Sequence, residues 1–197
     1  MRTRRFDIAP DASILPITIA ALILLAAIGG DTVRLAGRYE REAVLDGELW
    51  RLVTGHLVHL GWSHTVLNLA GLALVWALFA SALRGMYGLW VLVASIAAID
   101  AGFLINEPQL DWYVGFSGVL HGLFAAGVIA SIRAREPEAW LLGALFVVKL
   151  GWEQLIGPVP LTAKMAGGAV IENAHLYGAL GGACAGLLAL RLRSARL

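Results

Sequence analysis

The sequence predicts an all-α membrane protein, a single domain over residues 1–197 built as a bundle of six spanning helices. Three observations carry that prediction. The chain is 59% hydrophobic, with a mean hydropathy of +0.75, too apolar to cover its surface with polar groups in water. Only 15% of its residues are charged, against roughly 25% in an ordinary soluble domain. The apolar residues also fall into six runs, at about 12–30, 64–83, 86–105, 117–134, 139–157 and 173–192, each near the roughly 20 residues that a spanning helix needs.

The first run follows Arg2, Arg4 and Arg5, an outline it shares with a signal peptide. It is longer than the roughly 7–15 residues of such a segment and lacks a small-x-small cleavage site, so a retained span is expected. Residues 31–63 are too many for a turn and too polar to span. Their charges alternate with Leu35, Tyr39, Val44, Leu45, Leu49, Trp50 and Leu52, which predicts amphipathic pieces lying at the outer interface. Leu83-Arg84-Gly85 parts the second run from the third, and Arg133 to Pro137 parts the fourth from the fifth. Trp62, Trp112 and Trp152 suit an interfacial aromatic belt. On the sixth run Gly178 and Gly182 repeat at the small-xxx-small spacing that lets helix backbones approach, and Gly71, Gly118 and Gly122 serve similarly elsewhere.

Six spans leave both termini on one side, with Arg2, Arg4, Arg5, Arg84, Arg133, Arg135, Arg191, Arg193 and Arg196. The other side holds Arg34, Arg38, Arg41, Arg51 and Lys164, its arginines interleaved with acids, and the loop 106–116 has no Lys or Arg. The positive-inside rule then predicts cytoplasmic termini. A net charge of +1 gives no reason to expect nucleic acid as a partner. Cys184 is the only cysteine, which excludes an internal disulfide and a thiolate metal cluster; it reads as a small packing residue.

Polar groups within the runs are few: His64, Asn68, Asp100, Ser117, His121, Lys149, Glu153 and His175. Each is costly in hydrocarbon and so a candidate for function. His64 and Asn68 lie one turn apart on one face; they would suit a developing oxyanion or an interhelical hydrogen-bond clamp. Ser117, in Gly115-Phe116-Ser117-Gly118, enters the fourth run where unpaired N–H groups favour negative charge; it reads as a nucleophile or as a helix cap. It is not the nucleophile elbow of α/β-hydrolases, because residue 119 is Val and no strand is expected before it. His175 reads as a general base or as a satisfied core histidine. No Asp or Glu offers itself as a third member, Glu172 being expected in solvent, so a two-residue dyad is the economical reading.

Together these residues resemble the rhomboid family of intramembrane serine proteases. Trp50-Arg51 is similar to its WR motif, and His59 with His64-x-x-x-Asn68 to its histidine stretch and HxxxN. Ser117 fits GxSG, and Ala174-His175-x-x-Gly178-x-x-x-Gly182 fits AHxxGxxxG, in order along the chain. The resemblance implies a six-helix bundle with a water-filled cavity open to the outside and a Ser117–His175 dyad. It also implies an oxyanion site from the Ser117 N–H, His64 and Asn68, with no cofactor or metal. Implied partners are lipid and membrane-anchored protein substrates entering laterally, in a bacterial inner membrane with the site facing the periplasm. Gly-Phe-Ser-Gly-Val-Leu-His-Gly, with His121 where many rhomboids have a tyrosine stacked on the histidine, resembles the rhombosortase branch. That branch implies substrates with a C-terminal Gly-Gly motif, an apolar span and a basic tail.

His121 lies one turn from Ser117 and is read as a rival base or as support for the dyad. Lys149 and Glu153 stand at i, i+4 on the fifth run, which in rhomboids borders the substrate's entry route; they are read as dyad support, as substrate-recognising or as an ion pair, with Asp100 as another partner for Lys149. Other expectations are a general rhomboid protease with different substrates, a client-binding relative without activity, and a membrane protein ligating haem or metal through His56, His59 and His64.

Overall fold

The computed structural model describes residues 10–160 and 162–194. Arg2, Arg4, Arg5 and Arg196, which enter the charge count above, lie outside them, as does the side chain of Arg193. In chain order the elements begin with α1 (Pro10–Ile28), α2 (Gly30–Gly37), β1 (Tyr39–Glu40), α3 (Arg41–Leu45) and α4 (Arg51–Thr54). There follow α5 (Trp62–Phe79), α6 (Gly85–Asn106), β2 (Trp112–Tyr113) and α7 (Ser117–Arg133). The last three are α8 (Glu138–Leu155), α9 (Thr162–Ala166) and α10 (Glu172–Ser194). The six long helices α1, α5, α6, α7, α8 and α10 fall on the six apolar runs. By length and composition α5 and α6 each suffice to cross a membrane, and Ser13–Ile28 with α2 would do so only as a pair bent by 115°.

That bend was not foreseen. Gly30, at φ +61°, takes a left-handed conformation that only glycine adopts at little cost, and the chain turns there instead of running straight into the outer loop. The loop itself carries the expected short helices, held together by Arg51. Its guanidinium donates to the carbonyls of Leu35 at 3.1 Å and Arg38 at 2.9 Å, and to the Glu48 carboxylate at 2.6 Å. Arg41 donates to the carbonyls of Phe103 and Leu104 in the C-terminal turn of α6, where carbonyls run out of helical donors.

Helix α7 is the centre, packed against α5, α6, α8 and α10. Its small residues Gly118, Gly122, Ala125, Ala126 and Gly127 are buried with Val119 and Leu123. Without water between helices there is no hydrophobic drive to associate, so close backbone contact must hold the bundle. The seam between α7 and α10 supplies it. A Cβ built on Gly178 would lie 2.0 Å from the Gly118 carbonyl oxygen, and one on Gly182 2.1 Å from that of Gly122. Across this seam the Gly178–Gly182 spacing meets the Gly118–Gly122 spacing. Helix α8 is peripheral: of its residues only Ala139 and Glu153 are buried. Cys184 faces outward on α10 instead of packing inside, because Gly182 and Ala185 occupy the inner face.

Candidate active site

Ser117 opens α7, and the segment before it is tied down on both sides. β2 pairs antiparallel with β1, Tyr39 opposite Tyr113, so a two-residue strand does precede the serine, contrary to expectation. It is a ribbon clamping the outer loop, with no sheet behind it. Gly115 donates its N–H to the Gly55 carbonyl at 3.0 Å, and its own carbonyl accepts from the Tyr113 hydroxyl at 2.7 Å. Burial pushes the Tyr113 pKa up, so the phenol keeps the proton it donates. Gly115 has φ +122°, and a Cβ there would stand 2.8 Å from Cε1 of His64. Glycine thus serves both the turn and the approach of that ring.

The seam sets the register of Ser117 and His175. Ser117 precedes Gly118 by one residue, and His175 precedes Gly178 by less than a turn. Their side chains meet with Ser117 Oγ 2.9 Å from His175 Nε2. On the other edge of the ring, Nδ1 lies 3.0 Å from Oε2 of Glu153. A carboxylate only accepts, so Nδ1 carries the hydrogen and Nε2 is left as the acceptor toward the serine hydroxyl.

Lys149 Nζ lies 2.7 Å from the same Glu153 oxygen, touches Nε2 of His121, and stands 3.5 Å from His175 Nδ1. His121 is fixed between neighbours that decide its protons. Its Nδ1 faces the Ser117 carbonyl at 2.7 Å and must donate, while its Nε2 faces an ammonium and must accept. The ring is therefore neutral and fully engaged, and it stacks on His175 with centroids 4.1 Å apart and planes 12° from parallel. Its hydrogen bond goes to the main chain of Ser117 rather than to the hydroxyl, which argues against the rival-base reading.

His64 and Asn68 stand across the cavity on α5. The Leu60 N–H points at His64 Nδ1 at 3.4 Å, which leaves the N–H of that ring on Nε2. Asn68 donates one Nδ2 hydrogen to the His64 carbonyl at 3.0 Å, keeping a second hydrogen in reserve. Both residues line a cavity of about 620 Å³ together with Ser117, His121, Lys149, Glu153 and His175, under mostly apolar walls such as Leu67, Trp112 and Ile171. The segment around α9 covers one side, Gly168 resting against the Leu60 side chain.

His56, His59 and His64 do not gather around a common point. His56 turns to Asp100, its Nε2 3.3 Å from Oδ1, which also takes Asp100 away from Lys149. His59 meets His64 ring to edge at 4.9 Å and directs Nδ1 to the Leu57 carbonyl. Desolvation, with His64 beside it, lowers the His59 pKa to about 3, so it stays neutral. Among the described residues, the group whose ligand atoms do converge, within 4.8 Å of one another, is His121, Glu153 and His175.

The family's Rhomboid domain matches residues 46–192. This chain belongs to the rhomboid family. Similar curated proteins include the rhomboid protein YdcA of Bacillus subtilis, 29% identical over 157 residues, covering 78% of this chain and 73% of that one. Rhomboid protease GlpG of Klebsiella pneumoniae is 26% identical over 142 residues, 71% of this chain and 50% of that protein, so the chain spans about half the length of that relative. With its apolar helices, this rhomboid is an integral membrane protein.

What the sequence did not show is the direct contact of an acid with His175. No carboxylate stood out as a third member, and Glu153 was placed with Lys149 as dyad support, substrate recognition or an ion pair. The available signal was its place on the fifth run, one turn beyond a lysine that it did not need to bury itself to meet.

Proposed function

We propose that this rhomboid protein is an intramembrane serine endopeptidase with Ser117 as nucleophile and His175 as general base. The observation that carries the reading is the 2.9 Å contact from Ser117 Oγ to His175 Nε2, on a cavity that His64 and Asn68 also line. The long helices are read as six spans, with both termini cytoplasmic and the cavity open to the periplasm. Substrates are membrane-anchored proteins entering laterally from lipid.

In the first step Ser117 Oγ attacks the scissile carbonyl as its proton passes to His175 Nε2. The carbonyl π electrons become the oxyanion, received by the Ser117 N–H at the start of α7 with His64 Nε2–H and the second Asn68 hydrogen. Collapse of the tetrahedral species breaks the C–N bond, and His175 returns the proton to the leaving amine. Water, deprotonated by the same nitrogen, then releases the acyl group from serine. Were an amine to take that water's place, the product would be a transferred chain.

His121, stacked on His175 where many rhomboids carry tyrosine, supports a rhombosortase-like specificity. The test is cleavage in proteoliposomes of a reporter ending in Gly-Gly, an apolar span and a basic tail. Wild type is expected to cut it and Ser117→Ala to leave it whole. Equal cutting of a reporter without Gly-Gly would reduce the reading to a general rhomboid protease, and cutting by Ser117→Ala would end it.

A further inference from the structure

We infer that Glu153 is a positioning residue that turns the Ser117–His175 pair into a triad, with Lys149 as the clamp that holds the carboxylate in place. The inference rests on the reading of Ser117 as nucleophile. Its basis is the placement of one side chain. Helix α8 leaves nearly all of its residues on the outside of the bundle, yet the Glu153 side chain is only 1% exposed. A glutamate that served only Lys149 had no reason to be there. The lysine side chain is 33% exposed, and the pair could meet nearer the rim with less loss of solvation. Pointing inward, the carboxylate gains the Nδ1–H of His175 at 3.0 Å.

That contact acts on the reaction in two ways. It holds the ring in the tautomer whose Nε2 can accept the serine proton. It also sets a negative charge beside the imidazolium that forms when the proton arrives, in a site whose walls offer little other compensation. Lys149 balances the carboxylate before the proton moves, so the resting pair is neutral overall. Its ammonium also reaches His121 Nε2, and through the His121 Nδ1–H the network returns to the Ser117 carbonyl. One cation thus ties together the acid, the stacking ring and the main chain of the nucleophile. The same ammonium lies among the three convergent ligand atoms of His121, Glu153 and His175. A bound metal is therefore not needed to explain their convergence.

The charged and titratable groups facing His175 are Glu153 and Lys149 from α8, His121 from α7, His64 from α5, and Glu172 on its own helix. Among the described residues, the only carboxylate that hydrogen-bonds to its ring is Glu153.

The experiment measures the rate at which a fluorophosphonate probe labels the purified protein in bilayers. The variants are Ser117→Ala, Glu153→Gln, Glu153→Asp, Lys149→Met and the double variant Glu153→Gln with Lys149→Met. Labelling lost in Ser117→Ala keeps the nucleophile reading; labelling retained there defeats that reading and not this one alone. Glu153→Gln is expected to label Ser117 on the order of 10⁴-fold more slowly, by analogy with the acid of other serine triads. Glu153→Asp should recover part of the rate, since it restores the charge but falls short in reach. The double variant separates the two roles of the acid and decides alone where Glu153→Gln does not fold. If Glu153 only neutralises Lys149, removing both restores the wild-type rate and the inference falls. If it positions His175, the double variant stays slow. A wild-type rate for Glu153→Gln would also overturn it.

Discussion

Two buried histidine–carboxylate pairs stand among the described residues, and they sit in different surroundings. His175 meets Glu153 at 3.0 Å through one nitrogen and offers the other to Ser117 Oγ at 2.9 Å, on the wall of a cavity. His56 meets Asp100 at 3.3 Å, but its ring is sealed beneath the outer loop, edge-on to Tyr113 at 5.6 Å, and its Nδ1 has no hydrogen-bond partner among the described residues. Both pairs bury the same two functional groups. What distinguishes them is what the second nitrogen faces. A base needs a hydroxyl within reach and room beside it for a carbonyl to enter; a structural pair needs only to satisfy itself.

Substitutions can break or sharpen that contrast. The largest effect is expected at the reacting pair, where Ser117→Ala and His175→Ala should abolish reporter cleavage while leaving the melting temperature near that of wild type. Next comes the seam. Gly178→Ala adds a methyl where Gly118 O lies 2.0 Å away. Overpacking of this kind costs about 1–3 kcal/mol, and the α10 shift it forces should separate His175 from Ser117. Activity is thus expected to fall further than the thermal melt alone accounts for. Asn68→Ala should follow, with kcat lowered on the order of 10²–10³-fold as for loss of one oxyanion donor and KM little changed. The smallest catalytic effect is expected at the sealed pair. Asp100→Asn or His56→Ala should cost roughly 1–3 kcal/mol of stability, the usual penalty for a buried polar group left without its partner. The kcat per folded molecule should remain close to wild type. A kcat loss from Asp100→Asn as large as that from Asn68→Ala would dissolve the distinction between the pairs.

The contrast also explains what was legible before the structure. The long helices were readable because a run such as Gly85–Asn106 is apolar apart from a few residues such as Asp100 and is bounded by Arg84 and Glu107. Ser117, His175 and the glycines between their helices were readable because each has a fixed local spacing. Four features were not. The turn at Gly30 and the short helix α9 lie in mixed sequence where no periodicity dominates. The β1–β2 ribbon joins residues far apart in the chain with only two on each strand. Glu153 was hidden for another reason: Lys149, one turn earlier, already explained it locally, and His175 is 22 residues further on. Only the packing of α8 against α7 and α10 brings that acid to the ring. The outer loop packing on α6 sent Asp100 to His56, although it was an equal candidate for Lys149 on sequence alone.

On this reading His175, and neither His121 nor His56, activates Ser117. The direct measurement is fluorophosphonate labelling of wild type beside Ser117→Ala, His175→Ala, His121→Ala and His56→Ala, each verified as folded by its thermal melt. Labelling should vanish in the first two variants and persist in the last two. Labelling that survives in Ser117→Ala, or that is lost in folded His56→Ala while His175→Ala retains it, would contradict the assignment.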